Sequence, residues 1–198
     1  SVVTAALDKR ITFYAAIHPA MCDHQAHLKK TAGGWPHYFY YFPQPSKERI
    51  TTAAYYDVAN FARLITAPGW FSWGYNDEVC PPTSMYAAYN IITAKKELHP
   101  YLETGHYLYQ EQSDEWNKWL CRQMATRAKQ ELITHFYDHE YGGVFWSVCE
   151  DGSPLDTKKQ IYALGFAIYG LSEYHRATGD AEALEYAIRL FYDIEEHS

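Results

Sequence analysis

The sequence predicts an α/β fold in its first half, followed by helices and a β-hairpin. Short apolar segments of the kind that forms β-strands lie at 11–17, 69–74 and 97–102. Helical patterns lie between and after them, over about 55–65, 83–93 and from 114 onward. Strands that alternate with amphipathic helices indicate βα units and a parallel sheet. The stretch 22–47 predicts an irregular excursion over the sheet edge.

The second half has a different pattern, and the join lies within about 116–127. Apolar residues recur at helical spacing as far as Phe136. The alternating segment 142–149, with the turn signal Asp151-Gly152 after it, predicts a β-hairpin. Two helices should follow, over 159–177 and 181–195, the second capped by Asp180. We therefore expect one domain over 1–121 and another over 122–198.

Composition excludes several classes of protein. The longest apolar runs are shorter than the ~20 residues that a membrane span needs, and no signal peptide is recognisable, so no membrane partner is expected. A net charge of −7 without a basic run argues against nucleic acid. Four widely spaced cysteines favour a reducing compartment over a disulfide framework. The chain also lacks an initiating Met, which suggests a start inside a longer protein.

Two residues in the first half suggest acid–base chemistry. Asp77 and His106 each follow directly on a predicted strand, where sites form in open parallel sheets. In α/β-hydrolases a catalytic triad runs Ser, then Asp, then His along the chain, and the Asp orients the His that activates the Ser. The plainer interpretation is a turn Asp and an unrelated loop His.

No serine completes this pair. Ser46, Ser72 and Ser84 are candidates by residue type alone, since none is predicted on a strand-turn-helix elbow. A rival site is a cluster of metal-ligand types, but no second ligand pair follows, so a polar loop is favoured over a metal centre. Its members are His18, Cys22, Asp23, His24 and His27.

Longer motifs surround Asp77 and His106. The segment 74–84 reads GYNDEVCPPTS and is followed by AAYN at 87–90, while 101–106 reads YLETGH and 5–10 reads AALDKR. In these motifs the chain, up to about residue 120, resembles the C-terminal part of the acetyl xylan esterase and cephalosporin-C deacetylase family of α/β-hydrolases.

That resemblance implies a carbohydrate O-deacetylase acting on small acetylated sugars or oligosaccharides, with no cofactor and no metal. It assigns Asp77 and His106 to the catalytic triad and places the nucleophilic serine upstream of Ser1. The chain alone is then expected to be inactive. The resemblance also implies that the protein is cytoplasmic and forms a homo-oligomer.

The second half resembles a different family. Its motifs are YDHEYGGVFWSV at 137–148, DGSPLDTKKQIY at 151–162, FAIYGLSEY at 166–174 and ATGD at 177–180. They are similar to the start of N-acylglucosamine 2-epimerases and cellobiose 2-epimerases, which implies the first helices and hairpin of an (α/α)6 barrel. That family's catalytic histidines lie beyond Ser198. Phe166 occupies a position where many members have a sugar-binding Arg, while Trp146 and Tyr162 are candidates either for a sugar pocket or for the core.

Three functions therefore stay open: sugar deacetylation as the first choice, sugar 2-epimerisation, and a catalytically incomplete fusion fragment. The chain is either a piece of a longer bifunctional protein or an assembly of two neighbouring sequences. With so little of either fold present, we expect several apolar side chains of the second half to stay partly exposed. They are Tyr162, Phe166, Tyr169, Leu190 and Phe191.

Overall fold

The computed structural model describes residues 1–197, and the chain divides into two compact units, Ser1–Trp119 and Leu120–Ser198. The first unit contains α1 (Val2–Leu7), β1 (Tyr14–Ile17), α2 (Tyr38–Tyr41), α3 (Lys47–Ala54), α4 (Val58–Ala62), β2 (Gly69–Gly74), α5 (Pro82–Ile91) and β3 (Lys96–Tyr101). Helix α6 (Gln110–Glu131) crosses the division. The second unit adds β4 (Ser147–Val148), β5 (Pro154–Asp156), α7 (Ile161–Thr178) and α8 (Ala181–His197). The assignment of 1–121 and 122–198 as partial domains stays a prediction.

A three-stranded parallel sheet organises the first unit, in the order β1-β2-β3. Every residue of the central strand β2 is buried, as its continuous apolar sequence predicts for a parallel strand covered on both faces. Trp73 of β2 meets Tyr86 and Tyr89 of α5 edge-on, with ring centroids 5.0 and 6.0 Å apart. The predicted α/β class is therefore confirmed, and the ends of the three strands lie side by side.

The helix predicted over about 55–65 is present but shorter, as α4 (Val58–Ala62). The pattern over 55–65 is divided by Asp57, which has an extended backbone (φ −86°, ψ 115°) and separates α3 from α4. Its carboxylate accepts hydrogen bonds from the backbone N–H groups of Ala59 at the start of α4 and of Asp23 and His24 in the preceding loop. An N-cap residue has non-helical dihedral angles, so a single helix cannot pass through Asp57.

The second unit has the predicted helices and hairpin. Strands β4 and β5 pair antiparallel, and Gly152 in their turn has φ 83°, a value that favours glycine. Helix α7 is terminated by Gly179, the residue after its last one, which has φ 75°. The Asp180 carboxylate then accepts the backbone N–H of Ala183 at 3.0 Å, which caps α8 as expected.

The core of the second unit lies between α7 and α8. Tyr162, Phe166, Tyr169 and Phe191 are at least half exposed, as expected, but the expectation for Leu190 is wrong because it is fully buried. Ala183, Ala187 and Leu190 follow one another at helical spacing and form the buried stripe of α8. No helix in residues 1–197 is long and apolar enough to cross a bilayer.

Candidate active site

Asp77 lies just beyond the carboxyl end of β2 and is 3% exposed. Its Oδ1 atom accepts the backbone N–H groups of Val79 at 2.9 Å and Cys80 at 2.7 Å. The turn that follows the strand therefore fixes one side of the carboxylate. The other oxygen, Oδ2, is turned to side chains.

His106 lies five residues beyond β3 and is hydrogen-bonded to Asp77, with Nδ1 2.8 Å from Oδ2. This is the contact that the sequence predicted for these two residues. A proton on Nδ1, donated to the carboxylate, leaves a lone pair on Nε2. The His106 side chain is 40% exposed, so a partner outside the first unit can reach that nitrogen. The pair thus has the geometry of an acid that orients a general base.

Gly74 allows the His106 segment to approach so closely. A Cβ atom added at Gly74 would lie 2.3 Å from the carbonyl oxygen of Gly105 and 2.4 Å from that of Thr104. The backbone N–H of Asn76 also donates to the Thr104 carbonyl at 2.9 Å. The segment after β3 is therefore held against the end of β2 by backbone contacts that a larger residue at 74 would prevent.

A third side chain, His18, reaches the same carboxylate. It directly follows β1, and its Nδ1 atom lies 2.9 Å from Asp77 Oδ2, with its ring 5.0 Å from that of His106. The sequence interpretation placed His18 in a polar loop and missed this contact. The sequence did contain an indication of it. His18 directly follows a predicted strand, which is the criterion that identified Asp77 as a candidate.

One ligand atom from each of these three residues lies within 4.8 Å of the other two. Among residues 1–197 no other group of three or more His, Asp, Glu or Cys side chains is as close. Cys22, Asp23, His24 and His27, the other members of the rival cluster, are not part of it. A metal bound here would have to replace the two histidine–carboxylate hydrogen bonds, since both Nδ1 atoms already use Oδ2.

The serines considered as nucleophiles have structural partners. Ser72 is fully buried; its hydroxyl donates to the His99 carbonyl and accepts from the Gln112 amide, both at 2.7 Å. Ser84 donates to the Pro81 carbonyl in the first turn of α5, and Ser46 caps α3. Within residues 1–197 no serine hydroxyl is hydrogen-bonded to His106, so these side chains are discounted as the sequence suggested.

The pKa of Asp77 is lowered from its usual value. Burial raises it, but hydrogen bonds from the Cys80 N–H and from the His106 and His18 rings more than offset that effect. A carboxyl whose folded pKa is lowered stabilises the fold at pH values above its unfolded pKa of about 3.9 and loses that contribution as the pH falls through the folded pKa.

We therefore expect Asp77→Asn to destabilise the protein at neutral pH, with a difference in stability that begins to shrink below the unfolded pKa of about 3.9 and is lost only once the pH is below the lowered pKa of folded Asp77. Urea midpoints of both proteins, measured across the acid range, test this. Glu78→Gln changes an exposed neighbouring residue and is the matched control. Its urea midpoint should stay close to that of the wild type across the same pH range. A gap between wild type and Asp77→Asn that stays constant into strong acid would contradict the assignment.

Comparison with known proteins finds two groups of relatives. Residues 1–123 match the family described as Acetyl xylan esterase (AXE1). Acetyl esterase Axe7A of Xylanibacter ruminicola is 52% identical over 97 residues, covering 49% of this chain and 22% of that protein. Acetyl xylan esterase 1 from Thermoanaerobacterium sp. JW/SL YS485 superposes with a TM-score of 0.51 at 30% identity, over 60% of this chain and 40% of that one.

The other similarity is to epimerases. Cellobiose 2-epimerase of Bacteroides fragilis is 56% identical over 117 residues, covering 56% of this chain and 30% of that protein. The chain thus spans less than a third of the length of either curated relative. Both resemblances read from the sequence motifs are confirmed.

Proposed function

Because this chain belongs to the acetyl xylan esterase family, we propose that its first unit is the C-terminal part of an esterase domain that removes acetyl groups from carbohydrates. The observation that carries the proposal is the 2.8 Å hydrogen bond between His106 and Asp77, beyond the ends of neighbouring parallel strands. The general reaction, ester hydrolysis, is what membership of this family indicates. The catalytic roles of the two residues are part of the proposal.

The geometry supports a serine esterase mechanism. Nε2 of His106 takes the proton from a serine hydroxyl as its oxygen attacks the acetyl carbonyl carbon. The ionised Asp77 stabilises the imidazolium that forms, and His106 then gives the proton to the departing sugar hydroxyl. Water hydrolyses the acetyl-serine by the same route. We place this serine outside the 198 residues, on the elbow that the family resemblance implies.

The substrate class proposed is small acetylated sugars or oligosaccharides, and acetyl esters of the cephalosporin-C type are a further candidate. No cofactor is part of the proposal. All four cysteines are free, which supports a reducing compartment such as the cytoplasm. A homo-oligomeric assembly belongs to the same proposal.

A second candidate, sugar 2-epimerisation, is supported by the match to the Bacteroides fragilis enzyme. Within the second unit, Trp146, Tyr162 and Phe166 line a cavity of about 430 Å³. Aromatic faces suit the apolar faces of sugars. Formation of a mannose-type from a glucose-type disaccharide would identify this activity, whereas acetate release identifies the first.

The test uses the protein encoded by the reading frame extended upstream of Ser1. It should release acetate from acetylated xylo-oligosaccharides, and Asp77→Asn should lower kcat by about 10⁴-fold, as loss of the orienting carboxylate does in serine proteases. His99→Asn, a half-exposed histidine on β3, serves as the control and should leave kcat unchanged. Absence of acetate release, or full activity of Asp77→Asn, would refute the proposed function.

A further inference from the structure

His18 has acceptors at both ring nitrogens. Nδ1 lies 2.9 Å from Oδ2 of Asp77, and Nε2 lies 3.1 Å from the backbone carbonyl oxygen of Tyr107. The side chain is only 9% exposed, so these contacts replace most of its contact with water. The imidazole thus joins the acidic residue to the residue next to His106.

Both partners of the His18 ring are hydrogen-bond acceptors. A backbone carbonyl only accepts hydrogen bonds, and an ionised carboxylate does the same. The recorded groups that face the His18 ring are Asp77, the Tyr107 carbonyl and the His106 ring at 5.0 Å.

The His18 contact also completes the hydrogen bonding of Asp77. A carboxylate has about four acceptor sites. Val79 and Cys80 donate to Oδ1, while His18 and His106 donate to Oδ2. With all four sites used, rotation of the carboxylate would break several hydrogen bonds at once. Because the His106 ring is hydrogen-bonded to this carboxylate, the same contacts restrict the orientation of the His106 ring.

The backbone at His18 is unusual in the same place. Its φ of 45° lies in the left-handed region, which residues other than glycine seldom adopt, and Pro19 follows it. The N–H of His18 nevertheless extends the sheet by donating to the Ser72 carbonyl at 3.0 Å. Such strained conformations are concentrated at functional sites, where the surrounding structure holds them. Here the strain accompanies a turn that places the ring beside Asp77.

We propose that His18 is a positioning residue of the esterase site, holding Asp77 and the segment that carries His106 in register through the contacts at its two ring nitrogens. The catalytic consequence rests on the proposed function, but the double contact can be tested without it. By fixing both the acid and the base before substrate binds, His18 reduces the reorganisation that the proton transfer requires.

Two variants separate the two contacts. The amide nitrogen of His18→Asn lies where Nδ1 was and can keep the contact to Asp77, while that of His18→Gln lies near the former Nε2 and can keep the contact to the Tyr107 carbonyl. Amide hydrogen exchange of the segment 102–109, followed by mass spectrometry on the full chain, reports on the second contact. Exchange in α5 reports on whether the first unit is folded.

We expect the segment to exchange faster in His18→Asn and at nearly the wild-type rate in His18→Gln, with α5 unchanged in both. In the upstream-extended protein each variant should lower kcat by about 10–100-fold with KM unchanged, since a misplacement near 1 Å can cost about 10²-fold. If that protein proves not to be an esterase, the proposed function is refuted. The hydrogen-exchange result still shows whether His18 holds Asp77 and the 102–109 segment together.

Equal exchange of 102–109 in wild type and both variants would overturn the proposal. Faster exchange throughout the first unit, α5 included, in both variants would also overturn it, because His18 would then support the fold and not the site. Wild-type kcat in both variants of an active esterase would show that the contacts have no catalytic role.

Discussion

The 198-residue chain by itself is expected to hydrolyse p-nitrophenyl acetate no faster than background. The hydrogen-bonded Asp77 and His106 have no serine to activate among the described residues, and the sequence contains no Gly-x-Ser-x-Gly elbow. Loss of the nucleophile from a serine hydrolase costs about 10⁶-fold in kcat. Initial rates for wild type and His106→Ala should therefore coincide.

The upstream-extended protein provides the positive control, and there His106→Ala should abolish turnover. A fluorophosphonate probe, which reacts with activated serines, should label the extended protein and leave the 198-residue chain unlabelled. Robust turnover of the shorter chain that disappears on His106→Ala would show that one of its own serines is the nucleophile. The placement of that serine upstream would then be wrong.

The contact between Asp77 and His106 could be predicted because it depends on sheet topology. Parallel strands end at one edge, so residues in the loops that follow neighbouring strands are brought to the same edge of the sheet. The strand 69–74 was recognisable from its apolar run, and the structure has the same bounds. The helix predicted at 55–65 begins later than expected, at Val58, because periodicity does not reveal that the Asp57 carboxylate accepts three backbone N–H groups, two of them distant in sequence.

His18 and Leu190 show two further limits of sequence reasoning. His18 fulfilled the strand-end rule, but its neighbours Cys22, Asp23, His24 and His27 suggested a loop cluster instead. Its contacts, to Asp77 and Tyr107, are 59 and 89 residues away along the chain and depend on the order of three strands. Leu190 is expected to stay partly exposed because the resemblance implies missing partner helices, but the structure buries it in one cluster with Leu164 and Leu171 of α7.

Self-association is the second large effect that we expect of the isolated chain. In residues 1–197 the sheet of the first unit has two edge strands, β1 and β3, each paired on one side only. Unpaired edges offer N–H and C=O groups to other chains. In the second unit Tyr162, Phe166 and Tyr169 of α7 are exposed by 68, 60 and 67%. A cluster of large apolar side chains on one helix favours contact with another protein surface.

Burial of each such side chain contributes about 1.5–3 kcal/mol, so a contact that covers all three favours association by several kcal/mol before the entropy cost of association is subtracted. Sedimentation velocity should show species larger than a monomer that increase with concentration. Phe166→Lys with Tyr169→Lys should shift the distribution towards monomer, whereas Gln130→Lys, which adds charge at an exposed polar position of α6, should not. A monomer at every concentration with one cooperative thermal transition would show that the two units bury enough apolar surface without partners.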